Sequence, residues 1–221
     1  MSGFSTARQN MVDCQVRPSD VTDSRIIEAM LKVPRELFVP LDRRALAYLD
    51  LDLDVSDAES TRRCLIKPAV TARMLQAAAI QETDKVLVVG CATGYIAAVV
   101  GQFASEVTAT ESESTLAAKA RVALAELGMG KIAVQVAAAA DGDPAHAPYD
   151  VIVLNGATEI VPEILYQQLR EGGRLVGIFA TTRPPRATIV THSHEDFGSR
   201  PLFDAAAPVL PGLDRRPVFV F

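Results

Sequence analysis

The sequence has no block of basic residues, no long apolar run and too few cysteines for a disulfide framework. Its 221 residues carry 22 Lys and Arg against 27 Asp and Glu, a formal net charge of −5. The basic pairs Arg43-Arg44 and Arg62-Arg63 are too short to follow a phosphate backbone. The longest apolar stretches, around 97–100 and 151–154, fall far below the roughly 20 residues of a membrane-spanning helix. These absences argue against a nucleic-acid-binding surface and against a membrane span.

The three cysteines, Cys14, Cys64 and Cys91, form no Cys-x-x-Cys pair and no even set. The first residues lack the apolar run of a signal peptide. Hydrophobic residues make up 49% and charged residues 22% of the chain, which is typical of a globular domain with one large core. We therefore expect a protein of the reducing cytoplasm.

The chain up to about residue 80 has a largely helical pattern. Apolar spacing predicts a helix over 25–32, capped by Asp23 or Thr22, and Pro68 predicts the first turn of another. Leucines and aspartates alternate over 49–54, which predicts a short strand with an acidic, solvated face. A metal site on these aspartates is the alternative.

From Lys85 onward, strands alternate with helices. Strands are predicted at 85–89, 107–110, 132–136, 151–154, 175–179, 188–191 and 218–221, and helices at 95–103, 116–127 and 162–169. Ser112 is expected to cap the helix over 116–127, and Gly172-Gly173 to end the helix over 162–169. This order predicts an α/β fold, a seven-stranded, mostly parallel sheet with an antiparallel edge strand. We divide the chain into an N-terminal helical, substrate-side extension (1–80) and one compact Rossmann-like unit (81–221).

A glycine turn follows the first of these strands, with the sequence Gly90-Cys-Ala-Thr-Gly94. Such a turn places backbone N–H groups at the carboxyl edge of the sheet, where doubly wound folds bind ligands. Its G-x-A-x-G spacing differs from the G-x-G-x-x-G of dinucleotide sites, which disfavours a nicotinamide-dependent oxidoreductase. The spacing resembles the S-adenosylmethionine (SAM) motif of methyltransferases. Glu111, about 20 residues on, is predicted to accept hydrogen bonds from the ribose hydroxyls, the alternative being a surface glutamate.

Further segments resemble, in order, the protein-L-isoaspartate O-methyltransferase family. They are Val-Pro-Arg-Glu-Leu-Phe-Val-Pro at 33–40 with Ala47-Tyr48, Pro-Ala-Val-Thr-Ala-Arg-Met at 68–74, Gly-Tyr-Ile-Ala-Ala-Val-Val at 94–100, Ala-Pro-Tyr-Asp at 147–150, Gln168-Leu169 and Gly-Gly-Arg-Leu-Val at 172–176. The resemblance runs from about residue 11 to 176 and is specific as a set. It implies a Rossmann-like class I methyltransferase that transfers the SAM methyl group to the carboxylate of an isoaspartyl residue, a protein-repair reaction.

The resemblance also implies which residues form the site. The cofactor would be held by Gly90, Cys91, Ala92, Thr93, Gly94, Tyr95, Glu111, Ser112 and Ala138. The substrate, an isoaspartyl protein or peptide or a small acid, would meet Leu65 and Ile66. Asn155, from its place at the end of the fourth strand, is predicted to contact the substrate or the cofactor, the alternative being a loop-capping role. No catalytic side chain and no metal are expected, because a carboxylate is already ionised at pH 7 and needs no general base.

Four positions depart from the family pattern. Val88 replaces an acid, Ala92 replaces the middle glycine, Ala138 replaces the acid that contacts adenine, and Ile66 replaces a serine in a Gln-Thr-Ile-Ser-Gln-Pro segment aligned with 63–68. These changes leave open a catalytically degenerate binding or interaction protein on the same fold. Arg62, Arg63 and Lys67 predict a basic rim that would suit an anionic substrate. The oligomeric state is not determined by the sequence.

Two further alternatives concern single residue types. Cys91 stands at a helix start, where a thiolate would be stabilised, so a nucleophilic role is the alternative to a small side chain that fills the turn. His192 and His194 alternate near Glu195 and Asp196, which is a weak pattern for a metal site.

Overall fold

The computed structural model describes residues 3–57, 61–194 and 196–215. The N-terminal part is built from short helices and one small hairpin. In chain order, these are α1 (Gly3–Met11), a π-helical turn (Val12–Val16), a 3-10 turn (Arg17–Ser19), α2 (Ser24–Lys32), 3-10 turns at Arg35–Phe38 and Leu41–Leu46, the hairpin strands β1 (Leu53–Asp54) and β2 (Cys64–Leu65), and α3 (Pro68–Ala78).

Strands and helices alternate in the rest of the chain. They are β3 (Lys85–Val89), α4 (Tyr95–Val100), β4 (Glu106–Glu111), α5 (Ser114–Glu126), β5 (Ala133–Val136), a 3-10 turn (Pro144–His146), β6 (Tyr149–Thr158), α6 (Glu163–Tyr166), β7 (Leu169–Phe179), β8 (Arg186–Ser193) and β9 (Asp196–Asp204). The strands form one seven-stranded sheet in the order β5-β4-β3-β6-β7-β8-β9. The first five are parallel, while β8 and β9 add to β7 as an antiparallel edge.

Both faces of the sheet are covered, as the apolar run of β3 predicts. Val86 and Val88 belong to one hydrophobic cluster, while Leu87 and Val89 belong to the cluster on the opposite face. Helix α2 begins where its sequence predicts, with the Arg25 N–H donating to the Asp23 carboxylate over 2.9 Å. Pro68 opens α3. The predicted fold class, a mostly parallel α/β sheet, is confirmed.

Several element predictions are wrong in detail. Only Leu53–Asp54 of the predicted acidic strand pairs with another strand, and α4 ends at Val100. Ser112 caps no helix, since its hydroxyl donates to Glu111 and α5 begins after Glu113. The second edge strand is β9, whereas the predicted strand at 218–221 lies outside the described residues.

The predicted helix over 162–169 is the largest error. Only Glu163–Tyr166 is helical, and the chain enters β7 at Leu169. Gly173 permits this, because a Cβ atom added there would lie 2.8 Å from the Arg170 carbonyl oxygen and 3.0 Å from that of Tyr149. The glycine therefore serves close strand packing at a register shift rather than a helix end.

The strand order creates a crevice at the carboxyl edge of the sheet. The chain moves from β3 outward through β4 and β5, then returns to add β6 on the other side of β3. Doubly wound sheets bind their ligands at such a switch point. The segment after β9 crosses this edge, where the Ala157 N–H donates to Pro208 and the Leu210 N–H donates to Ala157, over 2.8 and 2.9 Å.

The tight packing between β7 and β6 generates a stability prediction. A Cβ atom added at Gly177 would lie 2.8 Å from Leu154 Cδ1 and 2.9 Å from Leu154 Cβ. We expect Gly177→Ala to lower the free energy of unfolding by about 1–3 kcal/mol through overpacking, as measured by urea denaturation. Gly198→Ala on the exposed β9 is the control, since nothing lies within 4 Å of its added methyl group. Equal losses in both variants would contradict the packing described here.

Candidate cofactor-binding site

The glycine turn after β3 has the predicted strand–turn–helix geometry. Gly90 and Gly94 adopt φ values of +66° and +96°, which glycine tolerates without cost. Ala92 also lies in the left-handed region, at φ +52°, where a side chain costs roughly 1–2 kcal/mol. The Cys91 N–H donates to the Thr110 carbonyl over 2.9 Å and joins the turn to the end of β4. The turn thus has a left-handed backbone conformation at Ala92 although the residue there is not glycine.

Glu111 ends β4 directly beside this turn. Its side chain is fully buried, so the surface-glutamate alternative is wrong. The carboxylate accepts the Ala92 N–H over 2.7 Å, and it also accepts the Ser112 hydroxyl over 3.2 Å. Glu111 thus lies at the end of β4 beside the glycine turn, as predicted, while its contact with a ribose stays a prediction.

Arg63 binds the Glu111 carboxylate. Its Nη2 lies 2.8 Å from Glu111 Oε2 and its Nε lies 3.1 Å from Oε1, which makes a bidentate pair with side chains 2% and 0% exposed. Burial would raise the pKa of Glu111, but the hydrogen bonds and charge of Arg63, with the N–H groups of Glu113 and Ala92, lower it below its ordinary value. Arg63 is therefore not part of a basic rim, whereas Arg62 remains 66% exposed. The rim prediction is wrong at Arg63.

Leu210 fills the other side of the crevice. A Cβ atom added at Gly90 would lie 2.6 Å from both Leu210 Cδ2 and Arg63 Nη2, and one added at Gly156 would lie 2.7 Å from Leu210 Cδ2. Gly90 directly follows β3, and Gly156 lies in the neighbouring strand β6 at the switch point. Because neither glycine has a side chain, there is room for Leu210 over both and for Arg63 over Gly90. Leu210 itself is fully buried.

Asn155 connects the two sides of the crevice. Its Nδ2 donates to the Gly90 carbonyl over 2.8 Å, and to the Cys64 carbonyl of β2 over 3.4 Å. Its Oδ1 has no hydrogen-bond partner, although the residue is only 2% exposed. Because both neighbouring acceptors require the NH₂ group, the amide orientation is fixed and the buried oxygen stays unpaired.

The predicted substrate residues Leu65 and Ile66 are buried next to a cation that was not predicted as a site residue. Arg35 is fully buried and donates through Nη2 to the Ile66 carbonyl over 2.9 Å, with a longer contact to Leu65. Its guanidinium lies 4.6 Å from the centre of the Tyr95 ring. Burial lowers the pKa of Arg35, and the neighbouring Tyr95 opposes this change. The only sequence signal for Arg35 is its place in the Val-Pro-Arg-Glu segment.

Thr93 and Tyr95 contact the N-terminal part of the chain. The Thr93 hydroxyl donates to the Phe38 carbonyl, and the Tyr95 ring packs between Phe38 and Arg35. Ala138 is exposed in the turn after β5, beside the end of β4. Gly90, Cys91, Ala92, Ser112 and Asn155, in contrast, cluster with Glu111 around the crevice.

The remaining chemical alternatives gain no support. Burial, and then the nearby charge of Glu111, raises the pKa of the Cys91 thiol, which disfavours a thiolate nucleophile. Over residues 3–57, 61–194 and 196–215, no group of three or more His, Cys, Asp or Glu side chains is arranged to hold a metal ion. Asp52 accepts the Lys67 N–H instead, and Asp54 accepts from Ser56. Within the same residues, no helix is long and apolar enough to cross a membrane.

Comparisons with known proteins agree on one family. The family model for protein-L-isoaspartate(D-aspartate) O-methyltransferase matches residues 6–185. A protein-L-isoaspartate O-methyltransferase of Rhodopseudomonas palustris is 44% identical over 166 residues, which cover 75% of this chain and 74% of the relative.

Two solved structures share the fold. One is a protein-L-isoaspartate O-methyltransferase with a TM-score of 0.81 at 24% identity, covering 93% of this chain and 66% of that one. The other is a Plasmodium falciparum protein in complex with S-adenosyl-L-homocysteine, with a TM-score of 0.78 at 15% identity, covering 95% and 99%.

The desolvated Arg63–Glu111 pair generates a second stability prediction. We expect Glu111→Gln to lower the free energy of unfolding by about 3–5 kcal/mol, because it leaves the Arg63 charge buried without a counter-charge. Asp204→Asn is the control. It breaks the exposed Arg186–Asp204 pair, with side chains 47% and 62% exposed, and should cost at most about 1 kcal/mol. Urea denaturation at neutral pH measures both; a small loss in Glu111→Gln would show that the pair is not desolvated.

Proposed function

The chain belongs to the protein-L-isoaspartate O-methyltransferase family of SAM-dependent enzymes, and we propose that it methylates the side-chain carboxylate of isoaspartyl residues in proteins or peptides. The observation that carries the proposal is the match of residues 6–185 to the family model, and Glu111, a buried acid against the glycine turn at the switch point of the sheet, supports the placement of the cofactor site. Family membership favours this enzymatic role over the interaction-protein alternative.

The reaction requires no general base from the protein's side chains. SAM supplies a methyl group on a sulfonium, and the accepting carboxylate is already an anion at neutral pH. Positioning and exclusion of water are then the main contributions required of the chain. The burial of the residues around the crevice supports a role in excluding water.

We propose that the cofactor is held by Gly90, Cys91, Ala92, Gly94, Glu111 and Ser112, with Thr93, Tyr95 and Ala138 contributing backbone or edge contacts. Leu65, Ile66 and Asn155 would face the substrate. Since the first two lie before residue 80 and the glycine turn lies after it, this assignment supports a substrate-side extension (1–80) on a cofactor-binding unit (81–221). Ile66 offers no hydroxyl, and its carbonyl is already bound by Arg35.

The crevice in the described conformation does not fit the cofactor. Both oxygens of Glu111 are bound by Arg63, and the space over Gly90 is filled by Leu210. We therefore derive no chemical step through SAM from this arrangement. The buried Asn155 oxygen beside Gly90 lacks a donor in this conformation.

The test compares two peptides of identical sequence that differ only in an isoaspartyl or an ordinary aspartyl linkage. With SAM labelled on its methyl group, we expect a base-labile labelled ester on the isoaspartyl peptide alone. Glu111→Gln should raise the KM for SAM more than it lowers kcat, because the proposed contact binds the ribose rather than the reacting atoms.

Two results would contradict the proposal. One is the absence of labelled ester at saturating SAM. The other is transfer to a small dicarboxylic acid but not to the isoaspartyl peptide, which would reject the proposed substrate while keeping the enzyme class.

A further inference from the structure

We propose that Arg63 and Leu210 compete with the cofactor from within the chain, so that SAM reaches Glu111 only after these two side chains leave the crevice. We call this pair the Arg63–Leu210 plug. The inference rests on the proposed function, because it takes the crevice at Gly90 and Glu111 as the cofactor site.

The first argument is that Arg63 and a ribose need the same two atoms. A ribose diol bound by an acid at the end of β4 uses the carboxylate oxygens, and Arg63 already binds both, at 2.8 and 3.1 Å. A guanidinium fork on a carboxylate makes two parallel hydrogen bonds and adds a full positive charge, which a neutral ribose diol does not supply. Glu111 cannot bind both partners in this geometry.

The second argument concerns how Arg63 is held. Its N–H donates to the Ser56 hydroxyl over 2.7 Å, and its carbonyl accepts the Val55 N–H over 2.9 Å. Val55 and Leu65, on either side of Arg63 in the hairpin, are buried in the hydrophobic core. We therefore place the opening motion in the long Arg63 side chain, whose rotamer can change while the hairpin backbone and the seven-stranded sheet stay in place.

The third argument is that Leu210 blocks the crevice independently. It comes from the segment after β9, which is held to β6 by backbone bonds at Ala157. Its methyl groups lie over Gly90 and Gly156, where added Cβ atoms would approach within 2.6 and 2.7 Å. Removing Arg63 alone would thus free Glu111, whereas full access to the glycine turn also requires Leu210 to move.

The fourth argument distinguishes a crevice that can open for a ligand from one that the chain fills permanently. A crevice permanently filled by the chain would be expected to satisfy its own polar atoms, since an unpaired buried group costs about 1–3 kcal/mol. Asn155 Oδ1 is nevertheless buried without a donor between Gly90 and β2. The closed crevice therefore retains an unpaired acceptor that a bound ligand could satisfy.

The plug has a measurable consequence for binding. When only a fraction of the molecules is open, the apparent dissociation constant equals the intrinsic one divided by that fraction. Weakening the plug should therefore tighten binding without adding any contact to the ligand. A residue that itself binds the cofactor would give the opposite result when it is removed.

The experiment is calorimetric titration of the full chain with S-adenosylhomocysteine, comparing the wild type, Arg63→Gln and Arg62→Gln. We expect Arg63→Gln to tighten binding by at least about tenfold, because glutamine carries no charge to hold Glu111. Arg62→Gln is the matched control, since Arg62 is exposed and 3.9 Å from Asp54, and it should stay within about twofold of the wild type.

Leu210→Ala provides a second variant in case Arg63→Gln does not fold, as judged by circular dichroism. It leaves the Arg63–Glu111 pair in place and should also tighten binding. Equal affinities in the wild type and both plug variants would overturn the plug and leave the proposed function standing, as would weaker binding in Arg63→Gln. No binding up to millimolar ligand in any variant would overturn the plug, and the labelled-methyl assay on the wild type then decides the proposed function separately.

Discussion

The buried ion pair between Arg63 and Glu111 connects the β1–β2 hairpin to the end of β4 beside the glycine turn. A carboxylate with no solvent exposure at the end of β4 must be paired, because an isolated charge there would be strongly destabilising. Arg63 supplies the counter-charge from the β1–β2 hairpin, and the Ala92 N–H supplies a further hydrogen bond from the glycine turn. One carboxylate thus fixes the relative positions of hairpin, turn and sheet edge. The conformation of the crevice therefore depends on whether a cation or a hydroxyl group binds the Glu111 carboxylate.

Local patterns in the sequence were sufficient for the framework of the site. The apolar run at 85–89, the two glycines after it and Glu111 at the next strand end each depend on neighbours within a few residues. The structure places all of them as expected from strand and turn chemistry. The same holds for the cap of α2 at Asp23.

The side chains that fill the crevice could not be predicted in this way. Arg63 meets its partner 48 residues further along the chain, and an arginine beside Arg62 in a polar stretch has the pattern of an exposed basic segment. Leu210 lies in a segment without helical or strand periodicity. Its position over Gly90 and Gly156 depends on the return of the chain across the sheet edge. Both contacts are tertiary, so no local pattern reports them.

The departures from the family pattern at Val88, Ala138 and Ile66 are consistent with a crevice that the chain itself fills. Val88 is fully buried in the hydrophobic cluster on one face of the sheet, so its side chain offers no charge to the crevice. Ala138 leaves the edge beside Glu111 without a carboxylate, and Ile66 adds apolar surface. With those acids absent, Glu111 is the dominant anion at the glycine turn, and a single arginine can neutralise it. Further acids would have left uncompensated buried charge in a closed state, so their loss and the pairing of Arg63 favour the same conformation.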